Sequence, residues 1–238
     1  MKKMLMLSGI LVGTLLLGTG CNVLTFAADT QETNIVVEKD RAKQLDVQLE
    51  LGAGEMTVTA GADDWVDGVI TFNHDNLEPK VSYRLSGDTG KLKINQPDKQ
   101  INMGNIKNKW DLKLSDNVPV ALQVESGASE TNLNLQGLQL EELDVNAGVG
   151  NITINLNDNW KESFKANIDA GVGNVTLILP EDVGVKITTE KGIGSMDFKG
   201  FISEGNGVYV NKAYETADVV ITIDANMGVG NLTFQLAN

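Results

Sequence analysis

One short pattern dominates the sequence: a Gly-x-small turn with apolar residues alternating on either side. It recurs as LDVNAGVGNITINL (143–156), ANIDAGVGNVTLIL (166–179), KITTEKGIGSMDF (186–198) and IDANMGVGNLTFQL (223–236). Weaker copies, VQLELGAGEMTV (47–58) and VESGASETNLNL (124–135), lie upstream. In the 143–156 copy, Leu143, Val145 and Ala147 alternate before the turn and Ile152, Ile154 and Leu156 after it. A period of two is that of half-buried strands, not of helices. A repeating unit of this size cannot bury its apolar face alone, so the copies must stack on one another.

The turn glycines Gly127, Gly148, Gly171 and Gly192 are separated by 21, 23 and 21 residues, a nearly constant interval that predicts successive rungs of a β-solenoid. Together with Gly150, Gly173, Gly194, Gly228 and Gly230 they are the expected corner positions. Glycine there admits positive φ and lets one rung's backbone approach the next. The Val or Ile between the glycines can point into the core or cap it. From Gly192 to Gly228 the interval is 36 residues, so about one rung's worth of chain, 200–216, is inserted. Its GFISEGNGVYV core reads as a hairpin with a Gly-Asn-Gly turn.

Upstream, six strands are expected at 35–37, 45–51, 55–60, 68–73, 80–85 and 91–95. The polar stretch DKQINMGNIKN (98–108) breaks the pattern and is taken as a boundary. The chain thus reads as all-β, an N-terminal β domain over 34–108 continuing into a single-stranded β-solenoid over 109–238. The one helical turn expected is short and near 158–164.

The first 28 residues have the features of an export signal. Lys2 and Lys3 precede the uncharged apolar run MLMLSGILVGTLLL, which ends in Gly18-Thr19-Gly20-Cys21. Small residues before a Cys resemble a bacterial lipobox, with Leu17 one place further back than is commonest. The expectation is a lipoprotein signal peptide over 1–20, a lipid-modified Cys21 anchoring the protein to the membrane, and a tether over 21–33. Ordinary cleavage after Ala27 or Ala28, giving a secreted chain, is one alternative. An uncleaved span over 4–28 is the other. Each puts the remaining chain outside the cytoplasm, and Cys21 is the only Cys, so the fold relies on its core and no intramolecular disulfide.

Charge narrows the partners. The chain carries 19 Lys and Arg against 32 Asp and Glu, a net charge of −13. Without Lys2 and Lys3 the balance is 17 against 32, or −15. Such a surface repels nucleic acid and anionic lipid headgroups. An envelope protein or a glycan is a better expectation. The final strand, 231–238, has no Pro, Lys or cap after it and reads as an open edge through which two copies could pair, more strongly in salt.

These features resemble the toast-rack family, the extracytoplasmic β part of the cell-wall-active-antibiotics-response (LiaF-like) proteins. The resemblance rests on LELGAGEMTVTAGADD and KVSYRLSGDTGKLKINQ, then on WDLKLSDNVPVALQVESGASETNLNLQGLQLEELDVNAGVGNITINL, with Trp110, Pro119, Gly127, Leu133, Leu135 and Gly137 the most specific positions. It covers the chain from about residue 36 onward. It implies a toast-rack-like, right-handed stack of strands and suggests envelope-stress sensing or surface scaffolding. Membrane-embedded members carry several spans before this domain, whereas this chain has a single export signal.

Chemistry-bearing residues are sparse: Arg occurs twice and His once. The GVGN turns lie between strands, whereas phosphate loops open a helix, so no nucleotide cofactor is implied. Asn151, Asn174 and Asn231 follow the turns and are expected either to bond the backbone or to stack as a polar ladder in the corner. His74 reads as a residue of an exposed polar turn. Asp63, Asp64 and Asp67 around Trp65 could bind a hard cation or form a solvated loop. Glu141 with Glu142, or Glu181 with Asp182, could be a glycosidase pair only if they shared a face, and adjacent strand residues do not. Trp65, Trp110 and Trp160 could stack on sugars or anchor the core. The expected function is therefore a non-enzymatic, surface-anchored envelope protein that binds or scaffolds, with no catalytic, cofactor or metal residues. A carbohydrate-binding adhesin would need Trp65, Trp110, Trp160, Tyr209 and Tyr214 exposed in a row. A polysaccharide-active enzyme would need clustered carboxylates with Lys or Arg.

Overall fold

The computed structural model describes residues 30–99, 106–190 and 192–237. The signal segment 1–20, Cys21 and the tether as far as residue 29 lie outside the described residues. The strands are β1 (Gln31–Val37), β2 (Gln44–Ala60), β3 (Val66–Phe72), β4 (Lys80–Ser86), β5 (Thr89–Asn95), β6 (Asn108–Leu114), β7 (Pro119–Asn134), β8 (Gln139–Asn155), β9 (Phe164–Leu179), β10 (Gly184–Thr188), β11 (Ile193–Lys199), β12 (Ile202–Gly205), β13 (Val208–Val210) and β14 (Val220–Leu236). All belong to one 14-stranded sheet. That sheet crosses residue 108 without a break, because β6 pairs with β2.

Five strands, β2, β7, β8, β9 and β14, are 16 or 17 residues long and stack in parallel register in that order. Alternation places one apolar column from each half of a rung inside. Val58, Leu133, Ile154, Leu177 and Phe234 lie side by side across the stack, each fully buried. Removing one such side chain from water is worth about 1.5–3 kcal/mol. Trp65, Trp110 and Trp160 are all buried in the same core.

A strand this long must bend, and it does so at the repeated glycines. In β9, Gly173 has φ +144°, and a Cβ there would stand 1.7 Å from the Gly150 carbonyl oxygen of the neighbouring rung. Two residues earlier a Cβ on Gly171 would meet the Gly148 oxygen at 2.4 Å. Only glycine lets the corners nest at strand spacing. The aliphatic residues between the glycines enter neither the core nor a cap: Val149, Val172, Val229 and Ile193 are 44–74% exposed.

Four expectations need correction. The strands expected at 45–51 and 55–60 are one rung, β2, paired with β7 along almost its whole length. Gln31 to Thr33, expected to end the tether, are paired in β1. Where a helical turn is expected near 158–164, residues 158–163 form an irregular turn and Phe164 begins β9, because Trp160 is drawn into the core and donates from Nε1 to the Leu156 carbonyl at 2.8 Å. The final strand is not an edge. β14 lies between β9 on one side and β10 and β11 on the other, with Ile193 to Lys199 paired against Val229 to Gln235. The stacking order therefore departs from chain order, and the copy around Gly192 is split into two half-strands that end the stack. The inserted segment does contain the hairpin, β12 and β13, turning at Gly205-Asn206-Gly207, where Asn206 adopts φ +51°.

Candidate functional site

The corner that bends the rungs also shapes the surface. A groove of about 990 Å³ crosses every rung. Its floor includes the first corner glycines Gly52, Gly127, Gly148, Gly171, Gly228 and Gly192. Two residues before each glycine stands a carboxylate or an amide: Glu50, Glu125, Asn146, Asp169, Asn226 and Glu190. Register aligns the first five as a column, at a strand spacing of about 4.8 Å.

Neighbouring side chains hold this column. Asn226 Nδ2 donates to Asp169 at 3.2 Å, Gln123 Nε2 donates to Glu125 at 2.8 Å, and Lys93 pairs with Glu50. At one end Gln96 Oε1 accepts from the amides of Gly52 (3.1 Å) and Ala53 (3.2 Å) and from Asn108 Nδ2 at 2.9 Å. Asn108 also donates to the Ala53 carbonyl and accepts from Trp110 Nε1, both at 2.9 Å. Corner groups of β2 that β5 and β6 leave unpaired are satisfied in this way. At the other end Glu190 N donates to Asn226 Oδ1 at 3.3 Å.

On the far side of the corner Asn151, Asn174 and Asn231 form the polar ladder. Asn174 Nδ2 donates to Asn151 Oδ1 and Asn231 Nδ2 to Asn174 Oδ1, each at 2.8 Å, and Ser195 Oγ donates to Asn231 Oδ1 at 2.6 Å. Of the turn glycines expected from the repeat, Gly127, Gly148, Gly171, Gly192 and Gly228 floor the groove. Gly150, Gly173, Gly194 and Gly230 carry the positive φ of the bend.

The remaining candidates do not converge with the groove. His74 Nδ1 accepts from the Asn76 amide at 3.1 Å and so caps the short 3-10 turn Asp75–Leu77. Asp67 turns its carboxylate to the amides of Asp63 (2.6 Å) and Asp64 (3.2 Å), closing the loop on itself. Among the described residues no group of three His, Cys, Asp or Glu is placed to hold a metal ion. Glu141 and Glu142 are both exposed, against the expectation of opposite faces, because a bulge leaves Glu141 without a partner while Ala121 pairs with Glu142. Glu181 and Asp182 are exposed in the turn after β9.

With its tryptophans in the core, the chain has no row of stacking rings built from Trp65, Trp110 and Trp160. Tyr209 is stacked on Phe198 with centroids 3.5 Å apart. Beside the N-terminal loop, Asp40 Oδ1 accepts from the Ala42 amide at 2.9 Å, Tyr83 Oη at 2.8 Å and Trp65 Nε1 at 3.1 Å. The Ala42 amide above all, aided by the other two donors, holds the Asp40 carboxyl below its usual range. Burial first, then the hydrogen bond to Asp40 and its charge, pushes the Tyr83 hydroxyl up to about 12. This cluster fastens the loop to β3 and β4.

Comparison with known proteins places the fold. A "putative cell adhesion protein" from Clostridium sporogenes is 28% identical, with a TM-score of 0.83 over 88% of this chain and 100% of that one. A "putative adhesin" from Bacteroides fragilis is 15% identical over 87% of this chain and 97% of that one, with a TM-score of 0.31. No curated protein matches the chain. Residues 127–234 match the family model of the C-terminal part of LiaF, of the cell wall-active antibiotics response. Residues 26–178, more than half of the sequence, match the model of the N-terminal domain of toast_rack, and the chain therefore belongs to the toast-rack family.

Proposed function

We propose that this chain is a non-enzymatic envelope protein that acts by binding along the corner groove, outside the cytoplasm. The observation that carries the reading is the groove itself, which crosses every rung and is walled by a column of polar groups. Register alone aligns that column, so the stack supplies a rigid, preformed face for an elongated ligand. The acidic groups of the groove stand on separate rungs and no Arg lines it, which favours binding over catalysis. Location is supported by Lys2, Lys3 and the apolar run after them, and by the match to LiaF. Cys21 is the lipid attachment point in this reading, with diacylation supplying two chains and stable anchorage. The part played in the response to cell-wall stress rests on the family. We take the coil to be right-handed, the sense in which parallel crossovers pack.

A second reading, adhesion, is favoured by the Clostridium sporogenes protein and its description. Sugar stacking by tryptophan does not support it, since all three are buried.

A photo-crosslinking residue at Ala147, in the groove, against one at Glu142, on the exposed bulge, tests the binding face in cells. The reading expects an envelope component trapped at 147 and not at 142. Equal trapping at both, or at neither, contradicts it. Intact mass of the membrane-extracted protein tests the anchor: a lipid adduct on an N-terminal Cys21 is expected, and an unmodified chain beginning at Ala28 or Asp29 overturns it.

A further inference from the structure

We propose that the groove takes an extended basic peptide segment, a deepening of the binding reading above, on which it rests. Four of its carboxylates, Asp98, Glu125, Asp169 and Glu190, form no ion pair among the described residues. Glu125 and Asp169 are instead held by the neutral amides of Gln123 and Asn226, which orient a carboxylate without cancelling its charge. Among the described residues lining the groove, Lys99 is the cation. Like charges along a concave surface reinforce one another and draw cations in.

The spacing fits a chain and not a point ion. Glu125 and Asp169 stand two rungs apart with Asn146 between them, about 10 Å at strand spacing. From the Glu50 rung to the Glu190 end the groove spans roughly 24 Å, the length of about seven extended residues. The glycine floor lets a main chain lie close.

Ser126 supplies an independent sign. Where the neighbouring rungs carry Leu51, Ala147, Ala170 and Met227, β7 carries a serine. It is only 8% exposed and lines the groove, yet its hydroxyl has no hydrogen-bond partner among the described residues. No described side-chain oxygen is sealed from solvent without a partner, so this hydroxyl is open to the groove. A hydroxyl both donates and accepts, which suits the paired N–H and C=O groups of a peptide main chain.

The test uses the full chain and a fluorescent peptide of alternating Lys and Gly, seven residues long, with spermine as a second probe. The expected result is saturable binding of the peptide that weakens at least tenfold in the Glu125→Gln, Asp169→Asn double variant and loses part of its salt dependence. Glu141→Gln with Glu142→Gln makes the same change in net charge away from the groove and is expected to alter affinity less than twofold. Ser126→Ala is expected to weaken the peptide several-fold with the salt dependence unchanged, and to leave spermine unaffected. Equal losses in the two double variants would reduce the effect to net charge and overturn the proposal, as would absence of saturable binding. Spermine bound as tightly as the peptide, with Ser126→Ala silent, would assign the groove to polyamines and overturn the peptide. If the peptide fails while Ala147 still traps an envelope component, the basic ligand is wrong and the groove reading stands. Failure of both removes the groove reading as well.

Discussion

The two ends of the stack are built alike and finished differently. At one end β5 and β6 cover the two halves of β2, and at the other β10 and β11 cover the two halves of β14. At the first end each half-strand is covered in turn, β5 by β4 and β6 by β3 and β1, and Gln96 with Asn108 seals the corner. At the second, β10 is covered by β13, and the buried Asn211 bonds Val185 N and the Val183 carbonyl at its base. β11 has no strand on its outer side among the described residues, and around its corner Glu190 N donates to Asn226 and Ser195 Oγ to Asn231. A stack of near-identical rungs must be stopped at both ends, and here the polar seal has been placed at one corner only. The other end leaves the outer edge of β11 unpaired among the described residues, with Phe198 stacked on Tyr209 of β13.

The largest effect should separate the interior of the stack from that bare end. Gly173→Ala forces a Cβ within 1.7 Å of a carbonyl oxygen in a rung fixed on both sides, and is expected to cost on the order of 3 kcal/mol or more. Gly194→Ala meets the same 1.7 Å clash with Gly230 but lies in β11, which can yield. Chemical denaturation should show less than half the loss there. Equal losses would mean that β11 is as firmly held as β9.

Next comes the seal. Asn108→Ala strands the Trp110 indole N–H and the Ala53 carbonyl and is expected to cost about 3 kcal/mol. Asn226→Ala, at the exposed opposite corner, should change stability by less than about 1 kcal/mol. Thermal melts of the two variants give the comparison directly.

A smaller effect is tied to pH at the sealed end. The Tyr83 hydroxyl is raised above its ordinary 10 to about 12, so the folded state holds that proton more tightly. Its contribution is complete below about pH 10 and disappears as pH rises towards 12. The Asp40 carboxyl is lowered, so its contribution is present above its ordinary 3.8 and is lost as pH falls through the lower folded value. Denaturant midpoints of Tyr83→Phe should fall less steeply than those of the parent between pH 10 and 12. Parallel curves would contradict the link.

The smallest effect on stability is expected at the bare edge. Ile193→Lys replaces a side chain already 74% exposed and should shift stability by no more than about 0.5 kcal/mol. If copies pair through β11 when salt screens their charge, sedimentation at high salt should show association in the parent and a monomer in the variant. Association retained by the variant would exclude β11 as the pairing edge.

Much of the architecture was legible in the sequence, because strand alternation and paired glycines at a steady interval report a stacked β fold directly. The polar ladder of Asn151, Asn174 and Asn231 followed from the same register. The order of the rungs did not, since every copy offers its neighbours the same glycines and aliphatic residues, and nothing local says that β14 should enter ahead of β10 and β11. The split around Glu190 was hidden for the same reason. Glu141 misled because an inserted residue leaves no mark in composition. The groove column was missed although its signal was present: each copy has Glu, Asp or Asn two residues before its first glycine. Aligning the copies on that glycine, and not on the apolar residues, would have found it.

The most direct test of this account is amide hydrogen exchange resolved by residue across the second end of the stack. With β14 held between β9 and the half-strands β10 and β11, amides of Leu232 to Leu236 should exchange as slowly as those of Val175 to Leu179, at the rate of global opening. In β11 alternate amides, facing no partner, should exchange far faster. Fast exchange along β14 together with slow exchange throughout β11 would contradict the account and return the edge to the last strand of the chain.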